Sequence, residues 1–367
     1  MAAARRPGDA AEAGRQVLIK AMATVYPTNV YNDPTAWSRA RRLDALALDL
    51  VAGPDPPPAG AEAAAAYLLD RLATYRQGAL AAYAAARPLF ERALAITEKA
   101  LGPEHPSTAT RLNNLAGLLR DQGDLAGARP LYERALAISE KALGPEHPST
   151  ATRLNNLAGL VKDQGDLPGA RPLFERALAI TEKALGPEHP STATCLSNLA
   201  GLLYARGDLP GARPLIERAL AIDEKVYGLE HPEVATDLNN LATLVKDQGD
   251  LAGARPLFER ALAIYEKALG PEHPAVAASL NNLAGLLQAQ GDLAGARPLR
   301  ERSLAICEKA LGPEHPDTAK TLNNLAGLLD DQGDLAGARP LYERARDGGS
   351  VAKRRAVTRR ARDWRRG

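Results

Sequence analysis

Six histidines, His105, His147, His189, His231, His273 and His315, are the side chains with the widest chemical repertoire in the chain, and they recur every 42 residues, each directly before a proline. A metal centre needs several ligand nitrogens within about 2 Å of one ion. Side chains that recur once per pair of packed helices stand at least about 10 Å apart, so no two of these imidazoles can share an ion. Their constant place points to loop and helix-capping roles. Cys195 and Cys307 lie 112 positions apart in different slots of the pattern, which supports neither a disulfide framework nor a CxxC pair and suggests a reducing compartment. Ser, Thr, Asp and Glu recur along the chain without a unique cluster in which a base and an orienting group would converge on a nucleophile. No HExxH, GxSxG, EF-hand, Rossmann or GxxxxGK[ST] signature is present. The expectation is a non-enzyme without metal or cofactor.

What recurs with chemical meaning is a set of amides. Pairs stand at Asn113 and Asn114, Asn155 and Asn156, Asn239 and Asn240, Asn281 and Asn282, and Asn323 and Asn324, while Asn198 follows Ser197 alone. An amide both donates and accepts, so a row of them can hold the backbone of an extended peptide whatever its side chains. Three places after the second amide stands a small residue: Gly117, Gly159, Gly201, Thr243, Gly285 or Gly327. Three further on the residue varies most: Arg120, Lys162, Tyr204, Lys246, Gln288 and Asp330. A constant backbone clamp beside a variable row is what peptide selectivity requires. The alternative is that the amides bond neighbouring helices and order the stack.

The elements that must position these residues are legible from one stretch, Leu112–Arg153, which begins again at Leu154, Leu196, Leu238, Leu280 and Leu322. Leu112, Leu115 and Leu119 fall on one face of a first helix that stops at Gly123. Asp124 stands as the N-cap of a second helix carrying Leu125, Ala128, Tyr132 and Ala135 and ending at Leu143 and Gly144. Ala116, Ala128 and Ala135 allow antiparallel helices to approach to about 8–10 Å. In Gly144-Pro145-Glu146-His147-Pro148 one helix stops and the next starts, since Pro suits a first helical turn. Pro130 and its equivalents Pro172, Pro214, Pro256, Pro298 and Pro340 fall about six residues into the second helix, where a mild bend is expected.

This spacing resembles the tetratricopeptide repeat, lengthened from 34 to 42 residues and most similar to the kinesin light chain type, whose units share the NNLA…QG…RAL.I.EK.LG..HP run, over roughly residues 62 to 345. The resemblance implies an all-α, right-handed superhelix of about seven helix-turn-helix units. It also implies a concave groove in which the second Asn of each pair contacts peptide. Kinesin light chains use a basic groove for acidic, tryptophan-containing cargo peptides. Here Asp121, Asp163, Asp247 and Asp331 make the groove mixed, and no N-terminal heptad coiled coil precedes the repeats, so a transport role is not expected. Residues 1 to about 100 also look, more weakly, like the lead-in to repeats in bacterial STAND-type signalling NTPases. That implies an alternative role as the sensor of an NTPase whose nucleotide-binding module lies elsewhere.

A solenoid grows by stacking, so 367 residues can be one domain. The sequence divides into an N-terminal helical cap (1–52), a Pro-rich linker (53–61), the repeat solenoid (62–346) and a basic tail (347–367). In the cap, helices are expected over Ala11–Val25 and Thr35–Val51, with Asp33-Pro34 as a start signal. The first unit should hold helices over Glu62–Gln77 and Tyr83–Leu101. Gly78 precedes Pro88 by ten residues where later units have seven, which suggests three extra residues in that turn. In the last unit Gly348-Gly349 should end the second helix about two turns early, leaving apolar surface able to support a homodimer. Net charge is +2, yet 351–367 carries eight basic residues and one Asp, so the remainder is about −5. The basic tail could meet nucleic acid, but a solvated or capping end is the favoured reading. No signal peptide or apolar run long enough to span a bilayer is found, which points to a cytoplasmic protein with a protein or peptide partner.

Overall fold

The computed structural model describes residues 7–348 apart from 29, 31–33, 79, 81 and 314. Asp33, Gly349 and the basic stretch 351–367 therefore lie outside the described residues. Every regular element among the described residues is an α-helix. Two helices come first, α1 (Pro7–Val25) and α2 (Pro34–Val51). Seven pairs follow: α3 (Glu62–Gly78) with α4 (Tyr83–Leu101), α5 (Pro106–Asp121) with α6 (Leu125–Leu143), α7 (Pro148–Asp163) with α8 (Leu167–Leu185), and α9 (Pro190–Ala205) with α10 (Leu209–Tyr227). The last three pairs are α11 (Pro232–Asp247) with α12 (Leu251–Leu269), α13 (Pro274–Ala289) with α14 (Leu293–Leu311), and α15 (Pro316–Asp331) with α16 (Leu335–Gly348). The first member of each pair is an A helix and the second a B helix. Contacts divide the chain into two compact units, Met1–Arg206 and Gly207–Gly367.

The A helix ends for a backbone reason that recurs. Gly123 has φ +80°, and it donates to the Arg120 carbonyl (2.9 Å) while Asp124 donates to that of Leu119 (2.8 Å). These two bonds satisfy the orphan carbonyls of the last turn and need a residue that tolerates the left-handed region. Asp124 then turns to the next helix: its Oδ1 accepts from the Gly127 amide at 2.9 Å. A Cβ on Gly127 would lie 2.5 Å from that carboxylate, so the cap itself demands a glycine three residues on. One aspartate thus closes one helix and opens the next, which keeps the turn to three residues.

Between pairs the histidines do the equivalent work. His147 Nδ1 accepts from the Ser149 amide (3.1 Å) with Pro148 in the first helical position, and Thr150 Oγ1 donates to the Gly144 carbonyl (2.8 Å). All six imidazoles are held this way at 3.1–3.2 Å. Replacing His147 by Ala is expected to cost about 1 kcal/mol in urea unfolding, and Asn, which can accept from the same amide, should restore most of it.

The turn of the first pair corrects one expectation. It carries one extra residue, not three, because α3 runs on through Gly78 and the Gly78–Pro88 spacing does not measure the turn. Each B helix continues through its proline, at the sixth position, without interruption. There the missing N–H removes one bond near the first turn, where it costs least. The last helix, α16, has 14 residues against 19 in the earlier B helices, shorter by about a turn and a half.

Within Met1–Arg206, α1 and α2 pack on α3. Ile19, Met22, Tyr26, Val30, Ala40 and Ala47 share a core with Leu68, Leu69, Leu72 and Phe90. The Pro-rich stretch is pinned to this body: Arg15 and Gln16 donate to the carbonyls of Pro56 and Ala59, and Arg92 to that of Asp55. Each B helix packs on the next A helix, and within each unit consecutive A helices touch directly. Ala116, Ala128 and Ala135 are fully buried, and the aromatics Phe90, Tyr132 and Phe174 of the B helices are buried as well. In Gly207–Gly367 the core between α11, α12 and α13 is built in the same manner, from Val234, Leu238, Ala261, Ile264 and Leu280.

Candidate functional site

The A helices bury most of their surface and keep a stripe of partial exposure. On α5 it runs through Thr110, Asn114, Gly117 and Asp121, residues three or four apart on one face. The two amides of a pair therefore differ. Asn113, Asn155 and Asn239 are only 8–9% exposed and lie between neighbouring A helices. Asn114, Asn156, Asn198 and Asn324 are half-buried, and Asn240 and Asn282 are exposed, while Asn281 and Asn323 are half-buried. Asn113, Asn155 and Asn239, expected beside their partners in the groove, are turned into the stack, because adjacent residues point 100° apart about the helix axis and here the first amide faces a neighbouring A helix.

In the first unit these inward amides form a chain of hydrogen bonds. Asn156 Nδ2 donates to Asn113 Oδ1 (2.9 Å), Asn113 Nδ2 to Asn114 Oδ1 (3.4 Å), and Asn114 Nδ2 to Asp70 Oδ1 (2.9 Å). Asn198 Nδ2 donates likewise to Asn155 Oδ1 (3.2 Å). Asp70 is fully buried between Arg71 (2.7 Å) and Arg111 (3.0 Å) and anchors the series. Sequence reading missed it because α3 departs from the repeat text, although Asp70 holds the place of the first Asn.

The second unit diverts the same amides. Asn239 Oδ1 accepts from Ser279 Oγ (3.3 Å) and Asn281 Oδ1 from Arg300 Nη1, the acceptors that the first unit's register would offer to Asn282 and Asn324. Arg300 comes from B helix α14, at the slot that holds Phe90, Tyr132, Phe174, Ile216, Phe258 and Tyr342 elsewhere. Comparing copies slot by slot is the signal that could have found it.

The variable row is tied to the next repeat by a second set of contacts. Gln77 Nε2 donates to Asp121 (2.7 Å), Arg120 Nε to Asp163 (2.6 Å) and Gln288 Nε2 to Asp331. Three of the aspartates that make the face mixed thus accept from donors of the preceding repeat, and Asp163 also meets the charge of Arg120. Where the following repeat carries Ala205 or Ala289 this partner is missing. Lys246 turns to its own neighbour Asp247 (3.3 Å), and Lys162 lies towards Gly201, where a Cβ would come 3.8 Å from its Nζ. Tyr204 is half-buried on α9, and Asp330 is exposed on α15. Arg153 and Arg300 are buried cations, each pushed down to about 10 by burial.

A tetratricopeptide repeat family model matches residues 62–141, 110–171, 154–225, 196–267, 238–297 and 275–348. The chain belongs to the tetratricopeptide repeat family. Its TPR pairs are similar to nearly identical, kinesin light chain-like TPR repeats of Podosopora anserina, with 34% identity over 56% of this chain and 98% of that one and a TM-score of 0.47. In fold the chain is similar to apo RapI (17% identity, 80% and 99% covered, TM-score 0.57). It is also similar in fold to a Rap protein complexed with Competence and Sporulation Factor (14% identity, 97% and 96% covered, TM-score 0.60). No curated protein matches the chain. These likenesses lend no support to a kinship with STAND NTPases. TPR folds of this kind generally serve as non-enzymatic protein-interaction scaffolds. No helix among the described residues is long and apolar enough to cross a membrane.

Proposed function

We propose that the chain is a non-enzymatic interaction scaffold that holds an extended peptide against the exposed stripe of its A helices, independently in each of its two units. The observation that carries this reading is the second amide of each pair. It stands at the same register on successive A helices of each unit, open to solvent in part or in full, beside a Gly or Thr that is itself partly exposed everywhere but at Gly159, which Arg120 covers. Asn114, Asn156 and Asn198 supply the amides of the first unit, flanked by Arg120, Lys162 and Tyr204. Asn240, Asn282 and Asn324 supply those of the second, flanked by Lys246, Gln288 and Asp330. The inward amides hold the register that keeps these groups in line. A cytoplasmic location fits two unpaired, buried cysteines.

The test is panning a phage-displayed library of linear peptides on the full chain, followed by affinity measurement on the enriched sequences. Because Asn240 and Asn282 are exposed, the double variant Asn240→Ala/Asn282→Ala should leave thermal unfolding unchanged. For peptides bound in the second unit it should weaken affinity about tenfold, the loss of two backbone hydrogen bonds. A library that yields no enriched peptide would remove this reading, as would enriched peptides that all bind the double variant and an Asn156→Ala/Asn198→Ala variant as tightly as the parent.

A further inference from the structure

The loop that joins the fourth pair to the fifth departs from all the others. Between a B helix and the next A helix the chain elsewhere reads Ala-Leu-Gly-Pro-Glu-His-Pro, at 100–106, 142–148, 184–190, 268–274 and 310–316, whereas 226–232 reads Val-Tyr-Gly-Leu-Glu-His-Pro. Val226, Tyr227 and Leu229 are 45%, 43% and 61% exposed, three large apolar side chains within four residues. In the common loop at most one such side chain stands open, as Leu101 and Leu185 do. The ring of Tyr227 is stacked on that of His231, 4.4 Å between centroids, so it offers a rigid surface that loses little freedom when covered.

Leu229 borders a groove of about 440 Å³ between α10 and α12, over Ala263 and Ile264. One rim is acidic, with Glu224 and Glu230, and the other basic, with Arg260 and Lys267. Arg260 meets Glu224 at 2.7 Å and Lys267 meets Glu230, yet these four side chains stay 27–66% exposed and can each take a second partner. Ion pairs at the same slots recur, as Arg134 with Glu98 and Lys141 with Glu104, so charge alone does not single out this place. The apolar centre does. An occupant of one sign, the basic stretch 351–367 included, would be drawn to one rim and repelled by the other. A second copy of the chain suits both. A two-fold axis lying in the plane of contact and running along the groove turns the acidic rim of each copy onto the basic rim of the other, and sets Val226, Tyr227 and Leu229 against their counterparts. A net charge of +2 leaves little long-range repulsion to oppose this. We propose that the loop between α10 and α11, with the groove beside it, is a self-complementary surface through which two copies of the chain pair. The contact uses none of the A-helix amides, so it stands or falls independently of peptide holding.

The patch is small, at the low end of specific interfaces, which sets the dimer dissociation constant at about 10–100 µM. Sedimentation equilibrium of the full chain from about 1 to 300 µM should therefore show the mass climb from 38.9 kDa towards twice that value. Val226→Ala/Tyr227→Leu/Leu229→Pro, which restores the loop that five other pairs fold with, should raise the dissociation constant at least about tenfold. Glu224→Lys/Glu230→Lys makes both rims basic, and Arg260→Glu/Lys267→Glu makes both acidic. Exposed ion pairs add little to stability, so both variants should fold. Each alone should keep the mass of one chain, and an equimolar mixture should dimerise. A parent chain that keeps the mass of one chain throughout, a restored loop that leaves the constant unchanged, or a mixture that fails to pair would overturn the surface. So would slow hydrogen exchange across 226–231 in the parent at the lowest concentration that the restored loop releases, since the cover would then be a segment of the same chain.

Discussion

Asp70→Ala is expected to destabilise the first unit by about 3–5 kcal/mol, the largest effect of any single replacement in it. Asp70 is fully buried, and its carboxylate meets Arg71, Arg111 and the Asn114 amide at once. Alanine leaves Arg111, 8% exposed, facing a gap where its counter-charge stood, and it leaves Asn114 Nδ2 without an acceptor at the end of the amide chain. Asp70→Asn keeps an acceptor for Asn114 and loses only the charge, so its cost should be smaller. The double replacement Asp70→Leu/Arg111→Met removes both charges and should recover much of the loss, since an uncompensated buried charge is worse than none. In a solenoid each repeat contacts mainly its neighbours, so hydrogen exchange should show the opening concentrated in α3, α5 and α7. Urea unfolding of the four chains measures the sum. A loss below about 1 kcal/mol for Asp70→Ala would mean the cluster is solvated in solution.

Asp223→Thr is expected to stabilise the second unit at pH 8, by about 2 kcal/mol, and to have little effect at pH 4. Asp223 on α10 faces Asp237 on α11, and the two share a hydrogen bond. Only 7% of Asp223 and 4% of Asp237 is exposed. Burial first, then Asp237 and Glu233, push Asp223 up to about 7, and none of the charges acting on it is positive. In two other repeats the slot pair is a neutral, hydrogen-bonded one: Thr181 with Cys195 at 3.7 Å, and Cys307 with Thr321 at 3.6 Å. A carboxyl whose pKa is raised on folding holds its proton more tightly in the folded chain. Its contribution is therefore fully present below about pH 3.8 and is lost as pH climbs through 7. His273 titrates the opposite way. Burial pushes it down to about 4, so its neutral form favours folding above the ordinary histidine range and that advantage fades as pH falls towards 4. The difference between parent and Asp223→Thr isolates the acid pair from that opposing trend, and thermal unfolding from pH 4 to 8 reads it. A difference that does not grow with pH would show that the two carboxyls do not share a proton.

Both effects arise at places where a repeat departs from its own consensus, and this marks how far sequence reading reaches. Period alone supplied the helix pairs, because the pattern of Leu112, Leu115 and Leu119 and the small residues Ala116, Ala128 and Ala135 admits one way of burying both faces. Cap chemistry was equally local. Asp124, Gly123 and His147 act on backbone groups within five residues, so chain order is enough to place them. The glycine spacing does not measure the first turn because Gly78 is the last residue of α3, whereas Gly123 stands two residues beyond the end of α5.

What only tertiary structure decided is which amide of each pair faces solvent and what each charged group meets. Asn113 and Asn114 are adjacent in the text and equivalent by composition, yet one bonds the next helix and the other reaches the surface, since their directions differ by 100° about an axis whose rotation is set by the stack. Asp70 against Arg111, Arg120 against Asp163, and Asp223 against Asp237 join residues on different helices. Whether a carboxylate there meets a guanidinium, an amide or another carboxylate depends on the register between layers. Helices follow from bonds made within a few residues, whereas the charge balance of a site follows from distances between helices, and those exist only once the layers have packed.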